Sequence, residues 1–280
     1  MFRHPVVDHC LTFLNDVPRN TWYRDHLKSQ ASGKTVFEAG CGSGILAAYA
    51  LQSGATHYYG VDINKQRSRF TSDVLDQLGY HHKHTVWCAD ASRITKDDVP
   101  QDIDLVLCEQ TGHQMQNNFT IRDFYQNLST LFPRAVFLPD SWTLDVYVYE
   151  GLHDSPLKEY GPQILLDDPS LPNGYKNTLD SFDFIQPSEI LHDVLQLTPE
   201  NCHEPLRFSV DLKSYGAVTL ILVDHIRFKG NRCITQSLLS DCPVPVKILI
   251  PQAKKLMHFE WDPSQRREKF HRGFWVATHE

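Results

Sequence analysis

Three glycines stand at alternate positions, Gly40, Gly42 and Gly44, directly after the short run "TVFEA" and directly before "ILAAYA". Glycine permits backbone angles closed to other residues and lets a ligand approach the main chain. A helix starting after such a loop turns its free N–H groups and positive dipole end toward it. The loop therefore suits a ligand with negative or polar groups. About 20 positions later "YYGVD" ends in Asp62, where a carboxylate can accept two hydrogen bonds from ribose hydroxyls. The dinucleotide fingerprint G-x-G-x-x-G places its third glycine where this chain has Ile45, which leaves a nicotinamide dinucleotide as the runner-up ligand.

These residues need strands to hold them. "TVFEAG", "HYYGVD", "TVWCAD", "IDLVLCEQ" (103–110) and "AVFLPD" read as strands, and "GILAAYALQSG", "NKQRSRFTSDVLDQLG" and "TIRDFYQNLSTLF" as helices. Strands alternating with helices in this rhythm imply a parallel sheet with helices on both faces. Before them, "HPVVDHCLTFLND" and "RNTWYRDHLKSQ" read as helical. After Pro139 the character changes. "WTLDVYVYE" alternates apolar and polar residues, as a half-buried antiparallel strand does, and "LRFSVDL", "VTLILVDHIRFKG" and "KILIP" follow. A helix is expected at 188–197, with Ser188 as N-cap and Glu189 in the first turn. The expected fold is thus α/β: a Rossmann-like mostly parallel sheet, followed by a mainly antiparallel, β-barrel-like domain. The boundaries fall at 1–30 for an N-terminal helical segment, 31–140 for the nucleotide-binding domain and 141–280 for the β-rich domain.

Composition narrows the classes. The net charge of -7 argues against a dedicated nucleic-acid binder, whose surface must neutralise phosphates. No apolar run approaches the roughly 18 residues of a membrane span; the longest, "AVTLILV" at 217–223, is strand-sized. Seven scattered cysteines without a C-x-x-C pair read as free thiols in a reducing compartment, so a cytoplasmic location is expected and structural zinc is not. The tract "YHHKH" (80–84) reads as a solvated loop rather than a metal site, and the basic "QRREKFHRG" (265–273) as a surface segment.

With Glu38 ahead of the three glycines, the loop resembles the first motif of class I S-adenosylmethionine (SAM) methyltransferases. The resemblance implies that SAM is the cofactor. It places Glu38, Gly40, Gly42 and Gly44 beneath the methionine portion and ribose, and Asp62 with Ile63 at the ribose edge. It also puts Asp90 and Ala91 of "WCADAS" at the adenine, with Asp90 accepting from the exocyclic amine. Two further segments resemble the protein arginine methyltransferases. In "NDVPRNTWYRDHL" (15–27) the match makes Arg19 the partner of the cofactor's carboxylate. In "DLVLCEQTGHQMQNN" (104–118) Glu109 matches the first of two glutamates that clamp a substrate guanidinium, while Asn118 stands at the second. The family's Thr-His-Trp segment has no equivalent; "LLSDCPVPV" stands there. The resemblance spans about residues 10–150. It implies a homodimer, although the family's dimerisation arm is not identifiable.

Glu109, at the carboxyl end of the fourth strand, is the expected catalytic carboxylate, orienting a nucleophile and accepting its proton. It would also lie against the cofactor. His113, in the same loop, is a second candidate base, suited to a hydroxyl or amine. Asp123 or Asp140 could replace the missing second glutamate. The expected substrate bears a polar nitrogen, in a protein or peptide arginine or in a small molecule. Beside N-methylation of a guanidinium or amine, the sequence leaves open a small-molecule O- or N-methyltransferase and a catalytically silent SAM-binding protein.

Overall fold

A computed structural model describes residues 14, 16–99, 102–109, 120–150, 188–212, 215–234, 247–250, 256–262 and 274–279. Strands β1 (Thr35–Ala39), β2 (His57–Asp62), β3 (His84–Cys88), β4 (Leu105–Leu107) and β5 (Val136–Leu138) form one parallel sheet in the order β3-β2-β1-β4-β5. Strand order reverses between β1 and β4. Open sheets of this kind bind ligands in the crevice outside the carboxyl ends of the strands at that reversal. The glycine loop leaves the end of β1 and Glu109 lies just past the end of β4, so both border this crevice.

Helices α1 (Val17–Gln30), α2 (Ile45–Gln52), α3 (Lys65–Gln77) and α4 (Thr120–Leu131) accompany the sheet. Asp16 caps α1, its side chain accepting from the Arg19 amide, and Asn64 caps α3 through the amides of Gln66 and Arg67. The central strands are buried on both faces: Val36, Phe37, Ala39, Leu105, Val106 and Leu107 belong to the core. This is why they read as continuous apolar runs.

The β-rich part forms two antiparallel sheets. One is β10 (Asn231–Ile234), β9 (Val218–Phe228), β6 (Ser141–Glu150) and β7 (Glu189–Leu197), with β11 (Lys247–Ile250) also on β9; the other is β13 (Phe274–His279), β12 (Leu256–Asp262) and β8 (Arg207–Asp211). Residues 189–197 are therefore strand, where the sequence reads as helix. The cause is a bulge. Leu144 pairs with Leu195 and Val146 with Leu191, so three residues of β7 stand opposite one of β6, and Asp193 takes a φ of 54°. The extra residues break the strict alternation and leave Leu191, Val194 and Leu195 as the partly buried positions, a spacing that imitates a helix. Ser188 does not cap a helix; its hydroxyl accepts from the Glu150 amide at 3.3 Å.

Strand β6 is buried along nearly its whole length rather than on one face. Trp142 is in the core at 1% exposure. On its polar face Asp145, fully buried, contacts His192 Nδ1 at 2.8 Å, His225 Nε2 at 3.2 Å, the Asp193 amide at 2.9 Å and Arg232. Burial opposes the charge on Asp145, but these donors hold its carboxyl well below the usual carboxylate range. Burial pushes His225 toward its neutral form. The "YHHKH" tract is a turn leading into β3. Cys41, Cys88, Cys108, Cys202 and Cys233 are free thiols. Among the described residues no helix is long and apolar enough to cross a membrane, and no His, Cys, Asp and Glu cluster could hold a metal.

Candidate active site

The glycine loop is a tight, left-handed path. Gly40, Gly42 and Gly44 have φ of 81°, 49° and 76°, a region closed to most L-residues. The amides of Gly40 and Cys41 both donate to the Val61 carbonyl, at 2.8 and 2.9 Å, which ties the loop to the end of β2. Thr71 of α3 donates to the Gly42 carbonyl at 3.0 Å. A Cβ on Gly44 would meet Thr71 Cγ2 at 3.2 Å, so helix and loop are in close contact. Among the described residues a Cβ on Gly42 would meet only the Gly40 carbonyl, at 3.7 Å, so the main chain there is open to a ligand.

Asp62 closes β2 beside this loop. It is 4% exposed and accepts from the Gly42 amide at 3.2 Å and the Asn64 amide at 2.8 Å, and it pairs with Arg67 at 3.2 Å. Ile63, the next residue, is 69% exposed. An isoleucine so exposed between a buried aspartate and a helix cap offers an apolar shelf at the crevice edge. Asp90 and Ala91 follow β3. Asp90 Oδ1 accepts from the Ser92 amide and hydroxyl, at 3.0 and 2.7 Å, which leaves Oδ2 with Arg93 at 3.6 Å. The sequence-expected ribose and adenine residues thus lie at the carboxyl ends of neighbouring parallel strands.

Just past β4, Glu109 Oε1 accepts from Arg19 of α1 at 2.8 Å. Arg19 is 1% exposed, and its partner carboxylate 12%. Burial disfavours the guanidinium charge, yet the Glu109 and Asp16 carboxylates outweigh it and hold Arg19 protonated above its ordinary range. An arginine on the buried face of a short helix, with Asn20, Tyr23 and Leu27, is costly unless paired. Tyr23, one turn on, is fully buried near Glu109 and Arg19, and its hydroxyl has no hydrogen-bond partner among the described residues. Cys233 of β10 faces the same centre; burial, with Asp16 and Glu109 nearby, pushes its thiol up to about 12, so it is neutral.

Glu38 lies below the glycine loop, 2% exposed, and accepts from the Tyr58 hydroxyl at 2.5 Å. Burial pushes its carboxyl up to about 8 against the opposing Tyr58 hydrogen bond, with Glu109 and Asp62 adding to the rise. Gly60 makes the contact possible. It pairs with Glu38 across β1 and β2, and a Cβ there would stand 2.6 Å from the Tyr58 oxygen. The sequence reading did not find Tyr58 or Gly60; the signal was a glycine inside a strand, which marks close approach by another group.

The family model described as ribosomal protein L11 methyltransferase (PrmA) matches residues 3–110. A ribosomal protein L11 methyltransferase of Photorhabdus laumondii is 34% identical over 100 residues, 36% of this chain and 29% of that protein. A histone-arginine methyltransferase CARMER of Culex quinquefasciatus is 24% identical over 136 residues, 48% of this chain and 22% of that protein. The chain spans less than a third of the length of these relatives. Among solved structures, a crystal structure of PRMT6 aligns with a TM-score of 0.66 over 99% of both chains at 14% identity. Arabidopsis thaliana protein arginine methyltransferase 10 aligns at 0.58 over 95% of both, at 12% identity. The chain has the class I SAM-dependent methyltransferase fold. It resembles the protein arginine methyltransferases along its length, including the β-rich part beyond the family-model match.

Within this methyltransferase fold the structure joins Gly42 to Asp62 and Arg19 to Glu109 by direct contacts, and places Glu38, Gly40 and Gly44 on the strand end and loop beside Asp62. Asp140 is engaged elsewhere: its Oδ2 accepts from the Lys229 amide at 2.7 Å, at the joint between β5 and β6. His113, Asn118, the segment "LLSDCPVPV", the basic 265–273 segment and the first expected helix up to residue 13 lie outside the described residues.

Proposed function

We propose that the chain is a SAM-dependent methyltransferase that transfers its methyl group to a guanidinium or amine nitrogen. The observation that carries this reading is the buried Arg19–Glu109 pair at the carboxyl end of β4, on the crevice that the glycine loop borders. The residues fit SAM. A left-handed backbone cradle is open at Gly42, a buried carboxylate stands at Asp62, and an exposed apolar side chain adjoins it at Ile63. The charge balance fits too. Asp16, Asp62 and Glu109 face Arg19 and Arg67, a lining with one carboxylate in excess, suited to a cationic donor.

When bound, SAM supplies an electrophilic methyl on a sulfonium, so the protein has mainly to position a nucleophile against it. In this reading Arg19 holds the carboxylate of the methionine portion, a charge-assisted contact that a guanidinium suits. Gly40, Gly42 and Gly44 admit the main chain to the ligand, and Asp62 takes the ribose hydroxyls. Asp90 and Ala91 flank the adenine, beside the shelf of Ile63. Glu38 supports the loop from below. Glu109 orients the acceptor nitrogen and takes up the proton it loses, and His113 is the alternative base. The segment to residue 30 closes over the cofactor, 31–140 binds it, and 141–280 presents the substrate.

The acceptor is read as protein or peptide arginine, supported by the arginine methyltransferases among the relatives of similar sequence and fold. Asn118, in place of a second clamp glutamate, favours a less cationic acceptor as the second reading. Labelled-methyl transfer into arginine-rich peptide, free arginine and a size-fractionated extract separates them. Label in the peptide supports the first reading, and label only in the small-molecule fraction the second. No transfer into any of them, or a rate unaltered by Glu109→Gln, would refute the assignment.

A further inference from the structure

The polar side chains of helix α4 reach three other parts of the molecule. Arg122 donates to the carbonyls of Cys202 and Glu204, at 2.8 and 2.9 Å, and Gln126 donates to Cys202 at 2.7 Å. Tyr125 donates to the Pro139 carbonyl at 3.1 Å. On the side facing β3, Asn127 Nδ2 donates to two carbonyls of one turn, Ala91 at 2.9 Å and Ile94 at 3.1 Å. Ala91 and Ile94 are 3% and 4% exposed, so their carbonyls have little access to water.

We infer that Asn127 is a positioning residue for adenine recognition: its amide clamps the 90–94 turn and so fixes where Asp90 presents its second carboxylate oxygen, the one not held by Ser92. The inference rests on the proposed SAM reading. The turn has its own internal bonds. Asp90 Oδ1 holds the Ser92 amide and hydroxyl, and the Arg93 amide donates to the Asp90 carbonyl at 2.9 Å. Those bonds set the shape of the turn but do not attach it to the rest of the fold. The Asn127 amide supplies an attachment, with both its hydrogens used on one acceptor pair. A side chain without that donor leaves two nearly buried carbonyls unsatisfied, and the turn must move to rehydrate them. Helix α4 also anchors the 198–204 turn, so the same helix joins that turn to the adenine turn.

The test uses the full chain and two ligands, S-adenosylhomocysteine and its inosine analogue, in which the exocyclic amine is replaced by a carbonyl. Calorimetry gives the affinity for each, and the ratio measures how well the site reads the amine. The wild-type chain is expected to prefer the adenine form. In Asn127→Leu, which keeps the size but not the donor, that preference is expected to fall about tenfold, the equivalent of one hydrogen bond. Asn127→Gln keeps the donor one methylene out of place and is expected to lose about threefold; it carries the test if the leucine variant does not fold. Thermal unfolding is recorded beside each titration. If both ligands weaken equally in every folded variant, or if wild type shows no preference, Asn127 is only structural and the inference is overturned. If wild type binds neither ligand, the SAM reading itself falls.

Discussion

Glu38 gives a prediction whose sign is fixed by the structure. The carboxyl is buried beneath the glycine loop and pushed up to about 8, against 4.5 in an unfolded chain. Between those values the folded protein keeps a proton that the unfolded chain releases, so folding stability must fall as pH rises. The slope approaches about 1.4 kcal/mol per pH unit. Integrated from 4.5 to about 8 it gives a ceiling of about 5 kcal/mol. Glu38→Gln keeps an acceptor for Tyr58 and removes the titration. The amide has its own constant cost, so the informative quantity is how the variant-minus-wild-type difference changes with pH. Urea unfolding at pH 5, 6, 7 and 8 in matched salt measures it. The difference should be smallest at pH 5 and move in favour of the variant by several kcal/mol at pH 8. A difference flat across that range refutes the reasoning, because Glu38 would then titrate alike in both states.

Gly60→Ala puts a methyl 2.6 Å from the Tyr58 oxygen, and should cost about 1–3 kcal/mol in chemical unfolding as the ring is displaced from Glu38. Arg19→Ala leaves Glu109 and Asp16 without their buried guanidinium. It should lower stability by about 3–5 kcal/mol, read by urea unfolding. Asp145→Asn should cost about 3 kcal/mol at pH 7 by unpairing His192, His225 and Arg232. The Asp145 carboxyl is held below its ordinary 3.8, so its stabilisation is full above that pH and is lost as acid protonates it. The gap between variant and wild type should therefore close in acid titrations below pH 3.8.

The parallel sheet and its ligand loop were legible because their signals are local. Gly40, Gly42 and Gly44 must sit where φ is positive, and Asp62 must end a strand, whatever the rest of the chain does. The second half was less legible because its signals depend on partners. Residues 189–197, expected as a helix from Ser188 and Glu189, are instead a strand whose bulge is defined only by its pairing with β6, about 45 positions earlier in the chain. Strand β6 reads as half-buried, yet its polar Thr143 and Asp145 are buried too, Asp145 by His192, His225 and Arg232 from three other strands. Within the site, Arg19 stood out only through family resemblance, since its burial depends on a carboxylate 90 positions away. Tyr58 and Asn127 escaped for the same reason: each acts through contacts with residues at least 20 positions away that only the folded chain creates.

The central claim is that the crevice between the glycine loop and Arg19 is shaped for a sulfonium donor with its ribose on Asp62. Calorimetric titration of the wild-type chain and Asp62→Ala with S-adenosylhomocysteine, with NAD as the comparison ligand, tests it most directly. The account expects binding to wild type, at least about tenfold weaker binding to the variant, and no binding of NAD. Tight NAD binding without S-adenosylhomocysteine binding, or equal affinity in the two proteins, would contradict it.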